Sequence, residues 1–257
     1  MPPVDRRLAL VRAPASTLAD GELTFLGRAD IDLGLALAQW RGYVDAIEAA
    51  GFETVEVEPA DSHADSVFVE DAVVMLDRLA VIASPGAQSR RGEIAGVEAS
   101  ARLVGLEIAR IELPGTLDGG DVLKVGRTVY VGRGGRTNAE GIRQFRVIAD
   151  ALGFTVVAVP VTRALHLKSV VTALPDGTVI GFAPLVEHAG MFGRFLAVPE
   201  EAGAAVVVLA PDAVLMSSAA PLTAALLADL GYRVIAVDIS EFEKREGCVT
   251  CLSVRIR

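Results

Sequence analysis

The sequence predicts an α/β protein built as a closed ring of five β-β-α-β units, and three observations predict it. Two apolar β runs, a helical stretch and a closing β run recur along the chain. Successive copies follow at similar spacing, as units that bury their apolar faces only against neighbours must. The first run, Leu8 to Arg12, and the last, Val249 to Ile256, are each incomplete alone and complete one unit together. An ordinary open α/β sheet would give the same elements without joining the ends.

In chain order, Leu8 to Arg12 reads as a strand and Ala13 to Gly27 as a long polar loop. A helix over Asp30 to Ala50 stops at Gly51, and Phe52 to Val57 alternates as a strand. The next unit has Val67 to Met75, its returning partner Ala80 to Ile82, a helix over Gly92 to Val104, and Leu106 to Ile111. Another follows with Asp121 to Val125, a Gly126-Arg127 turn, Val129 to Val131, a helix over Asn138 to Leu152, and Phe154 to Val159. Pro175-Asp176-Gly177 then joins Ser169 to Leu174 with Val179 to Phe182 as a hairpin. A helix is expected after it, with Ala204 to Leu209 closing that unit. Ala213 to Met216, a helix over Leu222 to Leu230 and Tyr232 to Val237 form a further copy.

A chain of 257 residues and 52% hydrophobic composition can bury a large core, as one domain or two. The ring makes residues 1–257 a single catalytic domain. Net charge of −9 argues against a nucleic-acid partner and suits a small cationic ligand. The longest apolar runs, such as Ala204 to Ala210, are far below the roughly 18 residues that cross a bilayer, so no membrane partner is expected. Two cysteines without a disulfide framework point to a reducing compartment, hence the cytoplasm.

Both cysteines, Cys248 and Cys251, lie near the end of the chain. A Cys-x-x-Cys redox motif needs a helix N-terminus, for which the residues after Cys251 leave no room. A disulfide is disfavoured if the segment is extended, since three extended residues span about 10 Å and a bridge needs Cα atoms within about 7 Å. Structural zinc would need ligands that His63, His166 and His188 do not supply at paired spacing. Two readings remain: one catalytic thiolate with a bystander, or two inert core cysteines.

The first strand of several units begins with polar groups that a core strand does not need. These are Asp65, Glu70 and Asp71, then Asp118-Gly119-Gly120-Asp121, then His166-Leu167-Lys168-Ser169, and finally Cys251. Each has a plain structural reading: the Asp-Gly-Gly-Asp segment as a turn, His166 as a core histidine, Arg90, Arg91, Arg133 and Arg136 as solvated surface. Glu70 and Asp71 resist it, because two buried carboxylates are costly without partners. A ring would gather all of them, and Cys with His and an acid makes an activated nucleophile. Carboxylates facing that thiol would hold a guanidinium, whose planar donors match them.

These stretches resemble the dimethylarginine dimethylaminohydrolases of the guanidino-group-modifying superfamily, which fold as a five-bladed α/β propeller. The resemblance rests on Asp65-Ser66-Val67-Phe68-Val69-Glu70-Asp71, Pro85-Gly86-Ala87-Gln88-Ser89-Arg90-Arg91, Leu117-Asp118-Gly119-Gly120-Asp121-Val122, Arg136-Thr137-Asn138, Leu165-His166-Leu167-Lys168-Ser169 and Thr250-Cys251-Leu252-Ser253-Val254. It implies Cys251 as nucleophile, His166 as acid and base, and Asp118 as the group orienting His166. It further implies Asp71, with Glu70 beside it, on the substrate guanidinium, Arg90 and Arg136 on the carboxylate, and Asp65 on the amino group. Leu18 falls where the family has a lid residue, and a backbone carbonyl near Arg245 would touch substrate. No cofactor and no metal are implied, and a homodimer and a monomer both remain open. Rival functions are an arginine deiminase releasing ammonia, an amidino transferase, and a non-catalytic binding propeller.

Overall fold

The structure, a computed structural model of the chain, describes residues 6–257. Among the described residues there are five three-stranded sheets, each with its first strand antiparallel to the second and the second parallel to the third. One sheet joins the two ends of the chain: β1 (Leu8–Val11) pairs antiparallel with β15 (Val254–Ile256), Leu8 opposite Ile256, and parallel with β2 (Glu53–Glu56). The others are β3 (Val73–Leu76), β4 (Leu79–Ile82) and β5 (Glu107–Arg110); β6 (Val122–Val125), β7 (Thr128–Arg133) and β8 (Thr155–Pro160); β9 (Val171–Ala173), β10 (Val179–Gly181) and β11 (Phe195–Ala197); and β12 (Val206–Ala210), β13 (Ala213–Ser217) and β14 (Arg233–Val237). The fold is the five-bladed α/β propeller. Residues of β3, β6, β9, β12 and β15 line one shared cavity, which makes these the inner strands.

Helices α1 (Leu33–Ala49), α2 (Ile94–Leu103), α3 (Ala139–Ala151) and α4 (Pro221–Asp229) cross between the second and third strands of four blades, as parallel pairing requires. Asp32 caps α1 by accepting the Leu35 N–H at 2.9 Å, and Asn138 caps α3 through the Gly141 N–H at 2.8 Å. Gly51, at φ 86°, turns the chain out of α1 into β2, a conformation glycine adopts without strain. Apolar residues of neighbouring blades interleave: Leu8, Leu10, Val254 and Ile256 pack with Val73, Ala80, Ile82, Val97 and Ala101.

Two expectations are corrected. The blade after Val179 has no α-helix. Two short 3₁₀ turns, Ala183–Leu185 and Ala189–Met191, bridge to β11, and Val206–Ala210 opens the next blade rather than closing this one. The Gly- and Pro-bearing stretch Gly181–Gly193 suits turns better than a helix. The inner strands also start later than expected, because 3₁₀ turns precede them: Val69–Ala72, Gly119–Asp121, Leu167–Ser169 and Glu201–Ala204. These turns carry most of the polar groups that looked misplaced in a strand. Asp71, Asp121 and Lys168 thereby leave the two-faced alternation of a β run.

Candidate active site

Cys251 does not lie on a strand. Residues 248–252 form a turn ahead of β15, in which the Cys251 N–H donates to the Cys248 carbonyl at 3.1 Å. Both cysteines are free, and their sulfurs stand 3.4 Å apart. The extended spacing that disfavoured contact between them is therefore corrected. The turn is held from both sides: the buried Tyr43 hydroxyl donates to the Val249 carbonyl at 2.9 Å, and the Glu70 N–H donates to the Cys251 carbonyl at 3.2 Å.

His166 is 2% exposed and lies between two carboxylates. Its Nε2 is 3.1 Å from Asp118 Oδ2, and its Nδ1 is 3.6 Å from Asp71 Oδ1. Asp118, fully buried, is fixed in turn by the Gly86 N–H at 2.9 Å, while its own N–H donates to Thr137 Oγ1 at 3.2 Å. Asp71 accepts the Gly120 N–H at 2.9 Å and pairs with Arg90 Nη1 at 2.6 Å. Asp121 braces the ring from behind: it accepts the Thr137 hydroxyl at 2.6 Å and the Leu167 N–H at 3.0 Å. Glycines 119 and 120 permit this closeness, since a Cβ on Gly120 would stand 2.5 Å from Asp71 Oδ1 and 2.6 Å from His166 Nδ1.

Burial opposes charge on His166, but Asp71, Asp118 and Asp121 outweigh it and push the imidazole up to about 9. Asp71 shows the converse: burial raises it, yet His166, Arg90 and Lys168 hold it down at about 2. Burial pushes Asp121 up to about 6. The Cys251 thiol is pushed well above the ordinary range, first by its hydrogen bond with Cys248, then by burial and by the charges of Asp71 and Glu70. At neutral pH the site therefore holds a cationic imidazole beside a protonated thiol. Oxygens of Asp71 and Asp118 and a nitrogen of His166 fall within 4.8 Å of one another, near enough for a metal. Those same atoms already serve one another and the Gly120 N–H, and the lone imidazole beside a thiol reads as an acid–base group.

Cys251, His166, Asp71, Asp65, Arg90, Arg136 and Arg245 all line one small cavity. Its volume is about 20 Å³, far below the roughly 300 Å³ at which small-molecule pockets begin, so a ligand enters only if a wall moves. Glu22 and Glu246 supply that wall. Glu246 Oε1 accepts the N–H groups of Thr24, Phe25 and Leu26, and Glu22 pairs with Arg136 at 3.2 Å. Neither was legible beforehand, for an acidic residue in a polar loop carries no signal. Replacing Glu246 with alanine frees three backbone donors and is expected to raise KM roughly ten-fold with a smaller effect on kcat, measured by steady-state kinetics.

Other expected residues fall differently. Leu18 is fully buried in the apolar cluster with Trp40, Val67 and Phe242 and does not line this cavity. Glu70 turns away from it, binding Lys168 at 2.7 Å and the Thr250 hydroxyl at 2.7 Å. Arg90 is spent largely on protein partners, Asp71, both oxygens of Glu93 and the carbonyls of Asp65 and Phe68. By contrast, among the described residues buried Asp65 Oδ1 has no hydrogen-bond partner, nor have Nε and Nη1 of Arg245, which is 2% exposed. An unmatched acceptor and unmatched donors in one cavity suit a zwitterion's ammonium and carboxylate.

No protein-family profile matches the chain. It is 59% identical over 249 residues to the N(G),N(G)-dimethylarginine dimethylaminohydrolase of Streptomyces coelicolor, covering 97% of this chain and 96% of that protein. Identity to the protein of the same name from Pseudomonas aeruginosa is 36% over 249 residues, covering 96% of this chain and 98% of that one. A solved structure of a cysteine-to-serine variant from Pseudomonas aeruginosa, complexed with citrulline, superposes with a TM-score of 0.90 at 34% identity, covering 98% of this chain and 100% of that one.

Proposed function

Because the chain belongs to the dimethylarginine dimethylaminohydrolase family, we propose that Cys251 is its nucleophile, His166 its general acid and base, and Asp118 the group that orients His166. The reaction is hydrolysis of Nω-methylated arginines to citrulline, with release of dimethylamine or methylamine. The observation that carries the residue assignment is the single cavity lined by Cys251, His166 and Asp71, with Asp118 behind the imidazole.

The substrate guanidinium would sit against Asp71, a carboxylate kept ionised in a buried site. Its positive charge offsets what raises the Cys251 thiol, so the thiol gives up its proton to solvent and the thiolate forms next to its target. Sulfur adds to the guanidinium carbon, His166 gives a proton to the departing methylated nitrogen, and the C–N bond breaks to leave a thiouronium on Cys251. A water then adds to that carbon while neutral His166 takes its proton. The C–S bond then breaks as the new hydroxyl loses its proton to solvent and becomes the ureido carbonyl, which frees citrulline and restores the thiolate. The unmatched Asp65 oxygen would take the substrate ammonium, and Arg136 with the spare donors of Arg245 the carboxylate.

Shared lining of one cavity by all five inner strands supports reading residues 1–257 as one catalytic domain. The net charge supports a small cationic partner rather than nucleic acid. The two free cysteines support a cytoplasmic setting. The deciding experiment incubates the protein separately with asymmetric dimethylarginine and with arginine and assays citrulline. Product from the methylated substrate supports the assignment; product from arginine alone would replace it with deiminase activity.

A further inference from the structure

The inner strands enclose a second cavity, of about 400 Å³, and it lies beyond the site just described. Groups ahead of the inner strands, Asp71, His166 and Cys251, line the first cavity, whereas the strand bodies and their far ends line the second. Glu70, Lys168 and Thr250 form the partition, each one residue or two from a member of the first site.

The charge of this second cavity runs against the composition of the chain. Lys124, Lys168, Arg255 and Arg257 line it, against Glu70 and Asp77, in a protein of net charge −9. Both acids are engaged: Glu70 binds Lys168 at 2.7 Å with Arg255 at 3.6 Å, and Asp77 pairs with Arg127 at 2.9 Å. Among the described residues no carboxylate pairs with Lys124 or Arg257. Among the described residues Lys124 donates to the Met75 carbonyl at 3.4 Å and faces the Phe154 ring, and Arg257 donates to the Val208 carbonyl and faces the Phe52 ring, which leaves ammonium and guanidinium protons to spare. Like charges gathered in a partly buried cavity repel, which is unfavourable unless an anion offsets them. Burial first, then neighbouring cations, bring Arg257 down to about 10, and burial lowers Lys124 against the opposing charge of Asp77.

We propose that this cavity is a binding site for a small multivalent oxyanion, of the phosphate or polycarboxylate class, held by Lys124 and Arg257 with help from Arg255. Its volume matches a small metabolite rather than a macromolecule. Occupancy has a consequence for the first site. An anion that draws Arg255 and Lys168 toward itself leaves the charge of Glu70 less neutralised, one residue from Asp71. Binding of a cationic substrate then tightens, and by reciprocity the substrate tightens the anion. This consequence rests on the proposed reaction; anion binding itself does not.

The test is isothermal titration of the full chain with citrate and with inorganic phosphate, against chloride at matched ionic strength. Saturable binding of at least one oxyanion is expected. It should weaken at least ten-fold in the Lys124→Gln/Arg257→Gln double variant and persist in Lys124→Arg, which keeps the charge on an exposed residue. Absence of saturable binding, or equal affinity in the double variant, overturns the site. In a parallel assay the oxyanion should lower the KM for asymmetric dimethylarginine; binding with KM unchanged overturns the coupling and leaves the site standing.

Discussion

Replacing Cys251 with serine is expected to lower kcat by about 10⁴-fold or more, since a buried hydroxyl cannot ionise as a thiol does. Cys248 cannot take over, although its sulfur is 3.4 Å away, because Cys248 does not line the cavity that holds His166 and Asp71. The companion variant Cys248→Ser should retain activity within about an order of magnitude, losing only the hydrogen bond that tunes its neighbour. Ultraviolet titration of the thiolate separates the two roles. The wild-type signal should grow at neutral pH when a guanidinium ligand that cannot react is added, and the response should vanish in Cys251→Ser yet survive in Cys248→Ser. A Cys251→Ser protein that still makes citrulline at near wild-type rate would end the assignment.

Removing the imidazole is expected to be nearly as damaging. General acid–base catalysis contributes about 10²- to 10⁴-fold, so His166→Asn should fall at the upper end if, as proposed, the same group acts in both halves of the reaction. Asp118→Asn should cost about 10²-fold with KM little changed, since Asp118 meets the ring and not the cavity. The pH dependence follows from the folded value near 9 against about 6.5 for a free imidazole. The proton on His166 is in place below about 9 and lost above it, so the rate should fall as pH rises through that value. The favourable contacts of the imidazolium likewise contribute stability that is complete below about 6.5 and lost as pH climbs through about 9. Chemical denaturation of wild type and His166→Asn across this range should give curves that converge at the alkaline end.

Much of this was legible in the sequence because the repeat of apolar runs dictates where strands and helices must bury themselves. The joining of Leu8 to Val11 with Val254 to Ile256 could be anticipated because neither end had a complete unit alone. Cys251, His166, Asp71 and Asp118 were legible as polar groups at the entries of apolar runs, but His166 and Asp118 also read as core and turn, and the roles came from the resemblance of their motifs to the family. The segment after Gly181 misled because the repeat called for a helix there, although the glycines and proline of Gly181–Gly193 favour turns. Leu18 was legible as apolar but not as core, since its partners Trp40, Val67 and Phe242 are distant in sequence. Glu22 and Glu246 remained hidden because Glu246 holds backbone amides of a loop whose path no periodicity specifies, and the partner of Glu22, Arg136, is distant in sequence. The contact between the two sulfurs was missed for a related reason: an apolar, β-branched stretch suggested extension where a turn forms.

The pairing of the first and last strands also shapes how the protein is made. During synthesis β1 waits without its antiparallel partner until β15 and the turn that carries Cys251 have been made, because most of the described chain separates the two strands. Contacts so distant along the chain slow folding. The sheet that joins β1 to β15, and with it the turn that sets Cys251 in the cavity of His166 and Asp71, is therefore expected to form late in folding.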